Sequence, residues 1–321
     1  MKKTILILHN EVLRKDPDEM DVIAQRDLVR ESCEKLGYRV LCRTLGKDLA
    51  GDMERIRTES ADLVFNLCET AFGKGELIYF APALLNTIRI PYTGVPLEAL
   101  FLTSSKVLAK RIMRRQGLPT ADFFTPLEIR KLDPEKTYIV KPVWEEASLG
   151  IAEDSIFRCS ETQKIRKIKR LPEKHFFIEE YIEGREFNIS MLAGTAGAEI
   201  LPPAEMLFGP YFDDKPRILG YKAKWDENSP EYRQSRRAFG TLGSGSKLEQ
   251  ALRKVCSECW ELFGLRGYAR VDVRIDKDER IYILEINGNP CIAPDSGFVA
   301  ALYEAGYNNE TMIKRIIEDA E

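Results

Sequence analysis

Polar side chains that could bind a metal ion fall on two neighbouring strand patterns within residues 268–287. Because residues two apart share a face of a strand, Arg270 and Asp272 point one way on the first strand, and Glu285 and Asn287 point together on the second. Two carboxylates and an amide oxygen suit a hard cation such as Mg²⁺. A hairpin with a solvated polar face is the alternative. The Val, Ile and Leu residues at the intervening positions favour the metal site.

A lysine followed by a loop of small residues could bind phosphate. Lys141 ends a strand pattern, and Ser148 and Gly150 follow it within ten residues. The lysine offers a point charge, and the small residues allow backbone N–H groups to approach anionic oxygens. A polar turn between strands is the alternative, but such a turn needs neither this lysine nor this spacing.

Together these motifs resemble the ATP-grasp enzymes, and specifically their D-alanine–D-alanine ligase branch. The pattern R-x-D followed by L-E-x-N-x-x-P is similar to the metal-binding end of that family, and Lys141–Ile151 is similar to its K-P-x-x-E-x-x-S-x-G loop. Glu146 stands where the family usually has glycine. The resemblance covers about residues 90–298 and implies ATP and Mg²⁺ as cofactors, with Mn²⁺ as a substitute.

The resemblance also assigns residues to the nucleotide. Backbone groups of the segment linking two lobes would bind adenine, Glu186 the ribose hydroxyls, and Lys224 the transferred phosphate. Trp225 replaces the tyrosine that usually follows this lysine, so closure of the covering segment must be organised differently. The nucleotide-binding residues implied in this way are Lys106, Lys141, Ser148, Glu179, Glu180, Tyr181, Ile182, Glu186 and Lys224.

For the reaction itself, the resemblance implies stabilisation of an oxyanion by Arg270 and by the backbone N–H of Cys291, which stands where the family has glycine. Lys224 and Ser148 complete the implied catalytic group. Cys291 as a nucleophile is the weaker alternative, since acyl-phosphate chemistry does not need one. The implied substrate residues are Glu11, Glu69, Trp225, Asn289 and Ser296.

The first lobe departs from the family. Members of the family carry a Gly-rich loop after the first strand and a His-Gly pair after the third strand. This sequence has other residues at both places, so we expect a substrate other than D-alanine. The concentrated acids Asp16, Asp18, Glu19 and Asp21 favour a substrate with an amino or other cationic group. Alternatively, these acids only complement the dipole of the helix that follows.

The order of the patterns predicts an α/β protein. Strand and helix patterns alternate at the start, which predicts a Rossmann-like parallel sheet. With the resemblance, we expect an ATP-grasp fold in which two α+β lobes clasp ATP. The predicted lobes are residues 1–95, which bind substrate, 96–182, the small ATP-grasp lobe, and 183–321, the large lobe with the metal site. Residues 207–246 lack clear periodicity, so we expect them to be disordered or to form a lid.

Composition narrows the classes of protein. The formal net charge is −3 and the basic residues form no tract, so nothing indicates nucleic-acid binding. No apolar run reaches the roughly 18 to 20 residues of a membrane span, and no signal peptide is apparent. We therefore expect a cytoplasmic protein acting on small molecules, and a homodimer is compatible with this. The seven cysteines suggest reduced thiols, and Cys256 and Cys259 should face the core of a helix rather than bind zinc.

These observations predict an ATP-dependent carboxylate–amine ligase that forms an amide bond through an acyl phosphate. A genuine D-alanine–D-alanine ligase and a small-molecule kinase on the same fold are the alternatives. A catalytically silent ATP-binding protein is less favoured, because Lys141, Asp272, Glu285 and Asn287 are all present.

Overall fold

The computed structural model describes residues 2–12, 17–144, 150–195 and 197–321, without the side chains of residues 17–19. It begins with a parallel sheet, as predicted, and the strand order of this sheet is β2-β1-β3. The apolar run of β1 is completely buried between helices on the two faces of the sheet. The elements of this lobe are β1 (Thr4–Asn10), α1 (Pro17–Lys35), β2 (Arg39–Leu45), α2 (Leu49–Thr58), β3 (Leu63–Leu67) and α3 (Phe80–Ile88).

A four-stranded antiparallel sheet of order β4-β7-β5-β6 follows. The helix at the start of this lobe is capped, since the Ser105 hydroxyl accepts a hydrogen bond from the Leu108 N–H at 3.3 Å. The elements are α4 (Leu97–Ser104), α5 (Lys106–Arg115), β4 (Phe123–Phe124), β5 (Thr137–Pro142), β6 (Ile156–Arg158), α6 (Thr162–Ile168) and β7 (Phe176–Glu180).

The remaining strands form a six-stranded antiparallel sheet, in which β11-β10-β8-β12-β13 are neighbours and β9 also pairs with β8. Its strands are β8 (Arg185–Gly194), β9 (Gly197–Ile200), β10 (Ala204–Phe208), β11 (Ser235–Ala238), β12 (Tyr268–Ile275) and β13 (Ile281–Asn287). Its helices are α7 (Tyr221–Trp225), α8 (Pro230–Arg233), α9 (Lys247–Phe263), α10 (Gly297–Glu304) and α11 (Asn309–Ala320). The three sheets lie in the three predicted segments, whose limits at residues 95 and 182 stay a prediction.

Of the two alternatives for residues 207–246, disorder is wrong, because regular structure occurs within this segment, whereas a lid stays a prediction. Strand β10 extends into it, and β11 pairs with β10 in register from Glu205↔Ala238 to Phe208↔Ser235. The β11 sequence, Ser-Arg-Arg-Ala, has no apolar alternation. Backbone pairing along the edge of the sheet therefore forms this strand without a hydrophobic pattern that sequence analysis could detect.

Two packing features connect the lobes. Helix α11 packs on α1, so its apolar residues join the core on one face of the first sheet. Between the other two sheets, the Ile283 N–H donates to the Pro119 carbonyl at 2.9 Å. Cys256 and Cys259 of α9 are buried in the core, as predicted. Among the described residues, no helix is long and apolar enough to cross a membrane.

Candidate active site

One cleft of about 930 Å³ lies among the three sheets. Every predicted site residue with a described structure lines it, whereas Ser148, together with Glu146, falls outside the described residues. The predicted residues that meet in the cleft are Glu11, Glu69, Lys106, Lys141, Glu179, Glu180, Tyr181, Ile182, Glu186, Lys224, Trp225, Arg270, Asp272, Glu285, Asn287, Asn289, Cys291 and Ser296.

The acidic pair is fixed by strand register. Asp272 of β12 is the direct partner of Glu285 on β13, and Arg270 is the partner of Asn287. Direct partners in an antiparallel sheet have Cβ atoms about 5 Å apart, so both carboxylates and the amide occupy one small area. The strand register shifts immediately after Asp272. The irregularity comes directly after the acidic pair, as is common next to active sites.

Asp272 is buried and carries strong partners. Its carboxylate accepts two hydrogen bonds of 2.8 Å from Arg270 and one of 2.9 Å from the Asn188 amide. Burial nevertheless raises its pKa, and the nearby Glu285 carboxylate raises it further. Negative charge is therefore crowded at this point, which a bound cation would relieve.

Glu285 stands in a ring of positive charge. Burial acts to raise its pKa, but Lys106, Lys224, Lys141 and Arg270 hold the pKa well below its usual value. The Lys106 ammonium lies 3.1 Å from its carboxylate. This carboxylate stays ionised at neutral pH and is an available ligand for a cation.

These donors fit a hard cation. Within the described residues, no group of three His, Cys, Asp or Glu side chains could hold a metal ion. The arrangement instead offers Asp272, Glu285 and the amide of Asn287, all on one face of the hairpin. Two carboxylates with one amide, and room for other oxygen ligands, suit Mg²⁺ better than a transition metal.

Lys224 enters the cleft from the segment between β10 and β11. It lies on the five-residue helix α7. Burial lowers its pKa, and the charge of Arg270 lowers it further, against the opposing effect of Glu285, Asp272 and Glu186. Lys224 thus faces both the acidic pair and the arginine, which is the position expected for a group acting on a transferred phosphate.

Arg274 holds the segment predicted to bind adenine and ribose. Its guanidinium is buried, donates to the Ile182 carbonyl at 2.7 Å and to Glu186 at 2.8 Å, and lies 4.9 Å from the centre of the Tyr181 ring. It also donates to the carbonyl of Arg217. One arginine therefore joins this segment, the buried Glu186 carboxylate and the start of the predicted lid.

The first lobe contributes an acidic wall. Asp21 accepts a hydrogen bond of 2.7 Å from the Cys291 thiol, and Gln25 donates to Glu69 at 2.9 Å. Burial raises the pKa of Asp21, and burial followed by Asp21 raises that of Cys291 well above its usual value. The thiol therefore stays protonated, which argues against a nucleophilic Cys291. Glu11 is exposed at the same end of the cleft.

Two of the predicted substrate residues make hydrogen bonds to other residues of the protein. The buried Asn289 accepts a hydrogen bond from the Tyr268 hydroxyl at 2.8 Å and donates to the Cys68 carbonyl at 2.9 Å. Ser296 caps α10 by accepting from the Val299 N–H at 3.2 Å. Asn289 thereby connects the end of β13, the strand that carries Glu285 and Asn287, to the first lobe. Contact of Asn289 and Ser296 with the substrate stays a prediction.

Sequence reasoning missed two residues that line the cleft and two that hold its lining residues from outside, because each resembles an ordinary polar residue in its element. Lys110 and Gln25 lie on helices that also carry many solvated charges, and Asn188 and Arg274 occupy polar positions of strands. For Arg274 the sequence does contain a signal. Arg274 is two residues from Asp272 and four from Arg270, so it lies on the same face of β12 as both.

The fold and the cleft define the ATP-grasp class. A D-alanine–D-alanine ligase from Bacillus anthracis, solved with ATP, superposes with a TM-score of 0.74 at 18% identity, covering 99% of this chain and 97% of that one. The D-alanyl-alanine synthetase A of Vibrio cholerae gives a TM-score of 0.74 at 17% identity, covering 99% and 98%. Identities this low show a shared fold.

Sequence comparison identifies the family. Residues 112–318 match the family described as D-ala D-ala ligase C-terminus. Uncharacterized protein y4sG of Sinorhizobium fredii is 29% identical, over 92% of this chain and 86% of that protein. The D-alanine–D-alanine ligase of Carboxydothermus hydrogenoformans is 27% identical, over 91% and 90%. The chain belongs to the D-alanine–D-alanine ligase family, and it is an ATP-dependent, ADP-forming ligase that joins a carboxylate to an amine.

Proposed function

We propose that this ligase uses ATP and Mg²⁺ to convert a carboxylate into an acyl phosphate, which an amine then attacks to form an amide. The observation that supports this most is the grouping of Lys106, Lys141, Lys224 and Arg270 around the paired carboxylates of Asp272 and Glu285. Transfer of a phosphoryl group requires cationic side chains and a metal ion close together, because negative charge develops on the phosphoryl oxygens.

Each residue has a role in this proposal. Lys106 and Lys141, with the loop that contains Ser148, hold the nucleotide phosphates, and Lys224 contacts the phosphoryl group in transfer. Asp272, Glu285 and Asn287 would hold Mg²⁺, which supplies charge neutralisation between phosphate oxygens. Arg270 and the backbone N–H of Cys291 stabilise the tetrahedral oxyanion. Each preorganised hydrogen-bond donor of this kind typically stabilises the transition state by about 3 to 4 kcal/mol.

We further propose that the carboxylate substrate carries a cationic group and differs from D-alanine. Asp21, Glu69 and Glu11 of the first lobe line the same cleft as the cluster of lysines and Arg270. A positive group on the substrate would pair with this acidic wall, while its carboxylate lies toward the cations. Of the acids Asp16, Asp18, Glu19 and Asp21, the described side chain is that of Asp21, and it lines the cleft.

A substrate-pair screen tests the proposal. Amino acids and small amines are combined in pairs with ATP and Mg²⁺, phosphate release is followed, and products are identified by mass spectrometry. We expect ADP and phosphate only when both substrates are present, with an amide of basic character as the best product. A stable phosphorylated product would indicate a kinase, and preference for D-alanine would contradict the substrate assignment.

A further inference from the structure

Lys110 is a buried cation of the small lobe to which the roles above assign nothing. It lies in the middle of α5 with 0% of its surface exposed. Its ammonium donates to the Thr120 hydroxyl at 2.8 Å and to the Ile283 carbonyl at 3.2 Å, and it forms an ion pair with Glu179. Three acceptors therefore use the three protons that a lysine ammonium carries.

Glu179 is shared between two lysines. The carboxylate is only 1% exposed, and while one oxygen pairs with Lys110, the other lies 2.5 Å from the ammonium of Lys141. Lys110 faces the protein interior, whereas Lys141 lines the cleft. Two positive charges against one negative charge leave this group with a net charge of one positive, on the side of the nucleotide site.

We propose that Lys110 is a positioning residue for nucleotide binding. Lys110 neutralises Glu179 from the side of the protein interior, so the positive charge of Lys141 stays available for the phosphates. Without Lys110, Glu179 and Lys141 would form a closed pair with no net charge. Lys110 also fixes the Ile283 carbonyl, two residues before Glu285 on β13. This inference rests on the proposed ATP binding at Lys141.

The charges make a prediction that a purely structural role does not make. Lys110→Met should weaken binding of a non-hydrolysable ATP analogue by at least about tenfold, a change of about 1.4 kcal/mol. Adenosine, which lacks phosphates, should bind within about threefold of its affinity for the native protein. Adding Glu179→Gln to Lys110→Met restores the net positive charge, because Lys141 then stands beside a neutral amide, and should restore binding of the ATP analogue.

Isothermal titration calorimetry on the full chain measures these affinities, with Lys131→Met as the matched control because Lys131 pairs with Glu128 at the surface of the same lobe. Equal losses for adenosine and the ATP analogue, or unchanged ATP affinity in Lys110→Met, would overturn the inference. If Lys110→Met does not fold, the double variant decides. Weak ATP binding by a folded double variant refutes the charge argument. Failure of the native protein to bind ATP would instead refute the proposed function.

Discussion

In the proposed role of Lys224 at the transferred phosphate, the protonation of this one side chain sets the pH range of the reaction. Burial and Arg270 lower its pKa, so this lysine loses its proton at a lower pH than an ordinary lysine does. The protonated form is the one that neutralises a phosphoryl group. We therefore expect kcat/KM to fall on the alkaline side, at a pH below the usual lysine range near 10.4.

Lys224→Arg should move this alkaline limb to higher pH, because an arginine keeps its charge throughout. The measurement is the pH profile of kcat/KM for ATP with the best substrate pair. Lys222→Arg is the control, since Lys222 is exposed on the same helix and should leave the profile unchanged. An alkaline limb that stays in place in Lys224→Arg would remove Lys224 from the transfer step.

Glu285 is the second residue whose role is open to a direct test. Glu285→Gln removes one negative charge from the pair while keeping the shape of the side chain, so the site should hold Mg²⁺ poorly. We expect kcat to fall at least about a hundredfold, comparable with the loss of a central charge-stabilising group. Steady-state turnover across a range of Mg²⁺ concentrations measures this.

The control lies on the same hairpin. Asp278 is exposed in the turn between β12 and β13, and Asp278→Asn should keep native activity. Near-normal turnover by Glu285→Gln at low Mg²⁺ would show that the metal, if one binds, is held elsewhere.

At the level of elements, the segment 207–246 includes the connection between the neighbouring strands β10 and β11 of the large sheet, and part of it lines the cleft. It brings α7 and Lys224 over the site, and its Arg217 carbonyl is held by Arg274. We propose that this segment opens to admit substrates and closes to exclude water, which would otherwise hydrolyse an acyl phosphate.

Limited proteolysis tests this movement. Cleavage of the protein alone should occur first within residues 207–246, and ATP with the substrate pair should slow it, because closure buries the cleavable backbone. Mass spectrometry of the early fragments locates the cuts. The exposed turn at 276–280 serves as an internal reference, and equal protection with and without ligands would indicate a fixed loop.

The sequence predicts those helices and strands whose own side chains show a clear pattern of apolar and polar residues. The sequence predicts two strands within residues 268–287, where β12 and β13 lie, because polar and apolar residues alternate along much of this segment. Helix α4 was missed, since its eight residues are largely apolar and carry no helical period. The position of Lys110 was equally hidden, because a lysine in a charged helix resembles a solvated one until the strands around it are placed.

On the scale of the whole molecule, we propose that acids of the first lobe and cations of the other two lobes bind opposite ends of one substrate in the cleft. Asp21→Asn and Glu69→Gln should each lower kcat/KM for a cationic substrate by roughly tenfold or more, with a much smaller effect on a neutral analogue, since an ion pair is lost only in the first case. The measurement is kcat/KM over a panel of amino acids.

The matched control is Glu54→Gln, because Glu54 is exposed on α2 of the same lobe. Selectivity that is identical in all variants, or D-alanine as the best substrate of the native protein, would mean that the acidic wall has another purpose. In that case Asp21 would belong to the first turns of α1 and to the anchoring of Cys291.

The packing of α11 on α1 has a consequence for the order in which the protein matures on the ribosome. The side chains of Ile5 and Ile7 share a core with Ile313, Ile316 and Ile317, which are synthesised about three hundred residues later. A nascent chain that has completed β1 to β3 carries α1 on this face of the sheet, but it still lacks the part of the core that α11 supplies. Domains usually fold in the order of their synthesis. Here the first lobe to leave the ribosome is the last whose core is complete.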